Sequence, residues 1–88
     1  MTERIAIIAS SAGLHARPAA ALIETAKAQS VPITVAVEGG AAVNAASLLS
    51  VLTLGGKQGD RLVLRAEGDG AEDALEAVAA VIETDYDA

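Results

Sequence analysis

"VPITVAVEGGAAVNA", residues 31–45, alternates in character from Ile33 to Glu38 and then meets two glycines. Ile33, Val35 and Val37 point one way; Thr34, Ala36 and Glu38 point the other. That is the period of a half-buried strand. Gly39-Gly40 is a hairpin signal, because tight hairpin turns need positive φ. Residues 41–45 then read as a short return strand. A hairpin whose outer face is polar implies a largely antiparallel sheet with one solvated side. Residues 61–67, "RLVLRAE", alternate again: Leu62, Leu64 and Ala66 face inward, while Arg61, Val63 and Arg65 face outward. Residues 4–9, "RIAIIA", are β-rich and read as a short buried strand.

The helices fall between these strands. From Pro18 to about Gln29, Ala19, Leu22, Ile23 and Ala26 share a face, with Glu24 and Lys27 away from its centre. Pro18 suits the first turn, where a missing N–H has no helical partner to lose. Arg17, before a proline, is expected to be extended. Residues 47–55, "SLLSVLTLG", read as a short helix with Ser47 as N-cap and Gly55 as stop. From Ala71 to about Thr84, Ala71, Leu75, Val78 and Ile82 form an apolar stripe, with Asp69, Glu72 and Asp73 near the positive helix start. The order is β-α-β-β-α-β-α. Helices on one face of an antiparallel sheet give a two-layer α+β sandwich, expected as one domain over residues 1–88.

Composition narrows the function. The chain has 88 residues, 52% of them hydrophobic, and a single aromatic residue, Tyr86. Its core must be aliphatic, and no aromatic platform exists for stacking bases. A net charge of −6 argues against nonspecific nucleic-acid binding. The acids gather late: Asp69, Glu72, Asp73, Glu76, Glu83, Asp85 and Asp87 follow one another without a base. That acidic end need not lie near His15. There is no cysteine, so thiol chemistry and disulfides are out. One histidine without cysteine offers no zinc donor set, and no metal or cofactor is expected. No apolar run reaches membrane-spanning length, and the N-terminus lacks signal-peptide character. A soluble, cytoplasmic chain without membrane insertion is expected.

The chemistry concentrates at His15, within "SSAGLHARPAAALIETAKA", residues 10–28. A lone loop histidine is usually plain surface. Three neighbours argue otherwise. A helix start carries unpaired N–H groups and partial positive charge, which suits an anion. Arg17 adds a fixed cation able to hold phosphate oxygens. Gly13 lets the chain turn sharply and bring backbone close to a ligand. Positive surroundings favour a neutral imidazole, and a neutral imidazole is a nucleophile. A phosphoryl group added to it would be an anion in an anion site. No orienting carboxylate is near in sequence, so a hydrolytic triad has no support. "GLHARP" is not a Walker-type loop either.

At these residues the chain resembles the HPr family, histidine-containing phosphocarriers of the phosphoenolpyruvate:sugar phosphotransferase system. The resemblance rests on "GLHARPAA" (13–20) and "VNAASLLSVLTLG" (43–55), and the element order and the "LGGKQGD" loop (54–60) extend it across the chain. It implies an open-faced β-sandwich, a four-stranded antiparallel sheet covered on one face by three helices. It implies that His15 accepts a phosphoryl group on Nδ1 from phosphorylated enzyme I and donates it to enzyme IIA components for coupled sugar uptake. Arg17 would assist transfer, the Ala16 and Arg17 amides would hold the phosphate, and Pro18 would fix the helix start. Ser47 matches the family's regulatory serine, the target of an ATP-dependent HPr kinase/phosphorylase; its plain role is the N-cap. Ala46, Ser50 and Ala12 depart from the common pattern. Leu48, Leu49 and Leu52 cannot all be buried by so short a helix, and the resemblance places the excess beside His15 as a docking patch. Ala20, Arg17 and Lys27 join that surface, while Glu24 weakens its positive field. The family acts as a covalent carrier rather than a self-contained enzyme, and a monomer is expected. Two other readings stand beside it: a paralogue serving a regulatory phosphorelay, and a small regulatory α+β module in which His15 is incidental.

Overall fold

A computed structural model of the chain describes residues 1–86. Asp87, counted above among the late acids, lies outside the described residues. The elements run β1 (Thr2–Ile7), α1 (Ala16–Lys27), β2 (Thr34–Val37), β3 (Val43–Asn44), α2 (Leu48–Thr53), β4 (Arg61–Ala66) and α3 (Ala71–Ile82). The strands form one sheet in the order β1-β4-β2-β3, and every pairing is antiparallel. This is the expected α+β open-faced sandwich in the expected element order. The glycine pair turns as read: Gly39 has φ +86°, and the Gly40 amide donates to the Val37 carbonyl at 2.7 Å.

One face of the sheet is packed under helices. Ala6, Ile8, Val35, Leu62, Leu64 and Ala66 meet Leu22 of α1, Val51 of α2, and Leu75 and Val78 of α3 in one aliphatic core. α3 lies along β1 and β4, α1 packs on α3, and α2 packs on α1.

The other face is open but not uniformly polar. Register aligns Ile5, Val63 and Ala36 in one cross-strand row. The neighbouring rows carry the ion pairs Arg65–Glu3 at 2.7 Å and Arg61–Glu38 at 3.1 Å. Val63 and Ala36 therefore point outward, as read, yet are buried. Alternation gives the direction of a side chain; its cover depends on which residues stand beside it across the sheet.

Two readings change here. β1 spans residues 2–7 rather than 4–9, and it is an edge strand rather than a buried one. Ala6 and Ile8 face the helices, but Ile7 faces the open side and is 46% exposed. A sheet covered on one side buries only alternate residues, and this run of isoleucines hid that alternation. Arg4, within the same strand, donates to Glu76 of α3 and to Glu83 just beyond it. α3 itself ends at Ile82, short of Thr84, because the Thr84 amide turns to the Val81 carbonyl in a tighter final bend.

Candidate functional site

His15 is the N-cap of α1. Its backbone is extended (φ −80°, ψ −175°), and its Nδ1 accepts a long hydrogen bond, 3.5 Å, from the Arg17 amide. The Ala19 amide donates to the His15 carbonyl at 3.0 Å and closes the first turn. The helix thus begins at Ala16, and Pro18 is its third residue rather than its first. Arg17 is helical, not extended as its place before proline suggested. The shift is tolerated because first-turn N–H groups lack helical acceptors and the carbonyl that the proline ring opposes belongs to Leu14, outside the helix. Pro18 is buried, while Ala16 and Arg17 are exposed beside the half-buried His15.

The geometry gives Nδ1 a defined task. An acceptor nitrogen carries its lone pair free of hydrogen, so a neutral ring holds its proton on Nε2. That lone pair is aimed at the start of α1. A group bonded to Nδ1 would sit at the Ala16 and Arg17 amides, on the positive end of the helix.

Three sets of contacts hold the loop before His15. The first contact is with the Gly55–Asp60 loop. The Leu14 amide donates to the Gly56 carbonyl at 3.0 Å. Gly13 has φ +74°, and a Cβ there would lie 2.4 Å from the Gly56 oxygen. A Cβ on Gly56 would in turn lie 2.6 Å from the Ile8 side chain. So the glycine's close approach is to another stretch of backbone, where the sequence pointed to a ligand. Gln58 adds a bond from its side-chain amide to the Ala9 carbonyl at 3.1 Å.

The second contact is internal: the Gly13 amide donates to the Ser10 carbonyl at 2.9 Å, and the His15 amide to the Gly13 carbonyl at 2.9 Å. The third comes from the chain after α3. The Ala9 amide donates to the Ile82 carbonyl at 3.2 Å. Ser10, only 1% exposed, donates through Oγ to the Thr84 carbonyl at 3.3 Å and accepts from the Tyr86 amide at 3.0 Å. Arg17 then reaches across: Nη1 donates to the Tyr86 carbonyl at 3.3 Å, and its guanidinium carbon stands 5.9 Å from the Tyr86 ring centre.

The acidic end, which the sequence did not require to lie near His15, comes partly back to it. Glu76, midway along α3, pairs with Arg4 of β1. Residues 83–86, however, fold onto the loop that carries the histidine. Ser10, Thr84 and Tyr86 were not singled out from the sequence. The one available signal was Tyr86, the sole aromatic residue of the chain, left without a core to join.

α2 carries the second candidate region. Ser47 is its N-cap, with Oγ accepting from the Ser50 amide at 3.4 Å. The Asn44 side chain steadies the approach by accepting from the Ala46 amide at 2.9 Å. Val51 is turned into the core, while Leu48, Leu49 and Leu52 are 49%, 75% and 40% exposed. The expected division between core and patch is thus present. Along α1, Ala16, Ala20, Glu24 and Lys27 are all exposed at helical spacing. Lys27 stands at the far end, about 18 Å from His15 at 1.5 Å per residue, so it extends the surface and does not stand beside the imidazole.

Among the charged groups, Arg4 is distinctive. Its hydrogen bonds to Glu76 and then Glu83 hold its guanidinium above the ordinary arginine range. Among the described residues no group of three or more His, Cys, Asp or Glu side chains could hold a metal ion. No described helix is long and apolar enough to cross a membrane.

Comparison with known proteins agrees with this layout. Residues 2–84 match the family model described as "PTS HPr component phosphorylation site". A phosphocarrier protein HPr of Streptomyces coelicolor is 45% identical over 93% of this chain and 88% of its own. A multiphosphoryl transfer protein of Vibrio cholerae is 46% identical over 85% of this chain, which corresponds to 19% of that longer protein. The crystal structure of HPr-C-His from Thermoanaerobacter tengcongensis superposes with a TM-score of 0.85 at 41% identity, covering 94% of this chain and 92% of that one.

Proposed function

This chain belongs to the HPr family of the phosphotransferase system, and on that premise we propose that its phosphoryl group is carried on Nδ1 of His15. The observation that carries the assignment is the Nδ1 lone pair aimed at the start of α1. In the receiving step the lone pair forms a bond to phosphorus. The bond from phosphorus to the donor breaks, and its electron pair stays with the donor. The phosphoryl oxygens then lie at the Ala16 and Arg17 amides, where helix and hydrogen bonds favour negative charge. The Arg17 guanidinium, on the same turn, adds a movable cation. In the donating step an acceptor nucleophile bonds to the phosphorus while the bond to Nδ1 breaks and its electron pair returns to the ring.

The donor is phosphorylated enzyme I, charged from phosphoenolpyruvate, and the acceptors are enzyme IIA components coupled to sugar uptake. Leu48, Leu49, Leu52 and Ala20 offer them an apolar surface, with Arg17 and Lys27 as its positive members. Interfaces of this kind are small, because the complexes must form and part quickly. The protein works as a cytoplasmic monomer. Ser47 is a second acceptor, for an ATP-dependent kinase; it caps α2, and a phosphate there would meet the same favourable helix start as at α1.

Intact-mass measurement tests both sites. With phosphoenolpyruvate, magnesium and enzyme I from the same organism, one acid-labile phosphate is expected on the wild type and none on His15→Ala. A wild type that stays unmodified in the presence of competent enzyme I sinks the assignment. With ATP and a matched kinase, an acid-stable phosphate absent from Ser47→Ala is the expected result.

A further inference from the structure

Arg17 belongs to two places. Its amide is fixed at His15 Nδ1. Its guanidinium is held elsewhere, by the Tyr86 carbonyl at 3.3 Å and above the Tyr86 ring at 5.9 Å. Tyr86 is not a loose end that happens to pass by. Its amide donates to the oxygen of Ser10, a buried side chain inside the loop that ends at His15. The same oxygen donates to the Thr84 carbonyl. The segment that presents the ring is therefore pinned to the loop that presents the imidazole.

Resting on the carrier reading, we propose that Tyr86 is a positioning residue for phosphoryl transfer: it parks the Arg17 guanidinium, which must leave the ring to reach a phosphoryl group on His15. The exchange follows from the chemistry of the partners. A carbonyl and an aromatic face are modest partners for a guanidinium. A phosphoryl group with two negative charges accepts paired, charge-assisted bonds. Arg17 therefore moves once the phosphate arrives, and the parked state lowers the net gain of the move. An aromatic ring at residue 86 thus sets how strongly the chain retains its phosphoryl group. A loosely retained group is what a carrier needs in order to donate.

Removing the ring should shift the balance toward the phosphorylated form. A cation–π contact at an exposed site corresponds to about a two- to five-fold change in an equilibrium. The experiment uses the full-length wild type, Tyr86→Ala and Tyr86→Phe. Each is equilibrated with enzyme I, magnesium and a fixed ratio of phosphoenolpyruvate to pyruvate, and the phosphorylated fraction is read by intact mass. Proton NMR of the Arg17 side chain reports the parking directly, through the upfield shift that an aromatic ring imposes. Expected are an upfield Arg17 signal in unphosphorylated wild type and Tyr86→Phe, its loss in Tyr86→Ala, and its loss in wild type on phosphorylation. The transfer equilibrium of Tyr86→Phe should match wild type, and that of Tyr86→Ala should favour the phosphorylated form. Equal behaviour of wild type and Tyr86→Ala in either readout overturns the proposal. So does a Tyr86→Ala that is phosphorylated less readily, or a Tyr86→Phe that behaves like it. A wild type that takes no phosphate at all fails earlier, at the carrier reading itself, and is told apart on that ground.

Discussion

At His15 the capping role and the proposed chemical role use the same atom. A serine or aspartate cap would satisfy the helix start better, but neither offers a nitrogen nucleophile. The Arg17 amide bonds to Nδ1 at 3.5 Å, a long contact that an incoming phosphorus would displace. The residue that allows this placement is Gly13. Its left-handed backbone and its lack of Cβ let the loop lie against the Gly56 carbonyl. Gly13→Ala forces a side chain into backbone at a disfavoured φ, and should destabilise the fold by about 1–3 kcal/mol. Urea denaturation measures that loss. The phosphoryl-transfer rate should fall as well, beyond what the unfolded fraction explains, because the Leu14–Gly56 bond that aims the loop is lost. The glycine was legible in "GLHARP" as a turn. Its true neighbour was not, since Gly56 is far away along the chain.

At the level of elements, α2 divides its residues between two tasks. It is six residues long, too short to be stable alone, and is held by the buried Val51. Its leucines face out. Val51→Ala should lower stability by about 2 kcal/mol through lost burial and the cavity left behind. Leu49→Ala should change stability by less than about 0.5 kcal/mol yet slow transfer from enzyme I several-fold at limiting concentrations. Thermal unfolding and phosphoryl-transfer kinetics on the two variants check the division; a Leu49→Ala that transfers normally removes that leucine from the docking surface. Sequence alone showed that α2 carried more apolar surface than it could bury. Helix period could not say which residues were surplus, because one and a half turns are too few to define a face. For α1 the residues of the buried face were legible, but the start was misplaced by two. Proline announces a first turn without fixing its own position within it, and the cap bond settled the matter.

Over the whole molecule, the site is assembled from opposite ends of the chain. Ser10 joins the loop before α1 to the segment after α3 through two hydrogen bonds. Arg4 ties β1 to α3 through Glu76 in the middle of the helix and Glu83 at its C-cap, in exposed pairs that salt should weaken. Ser10→Ala should destabilise the fold by about 1 kcal/mol and speed hydrogen exchange at the Tyr86 amide, while the core amides of β4 keep their protection. Unchanged exchange at Tyr86 would show that the closure does not depend on Ser10. By itself, the sequence determined the element order, the antiparallel sheet, the inward residues of β2 and β4, and the cluster of His15, Arg17 and a helix start. Those follow from local periods, turn residues and caps, which act within a few residues. Only the tertiary structure decided that β1 is an edge, that Val63 and Ala36 are covered on the open face, and that Gly13 rests on Gly56. It alone placed Tyr86 beneath Arg17. Each of these depends on which distant strands or segments become neighbours, and the core that brings them together leaves no trace in the spacing of any one stretch.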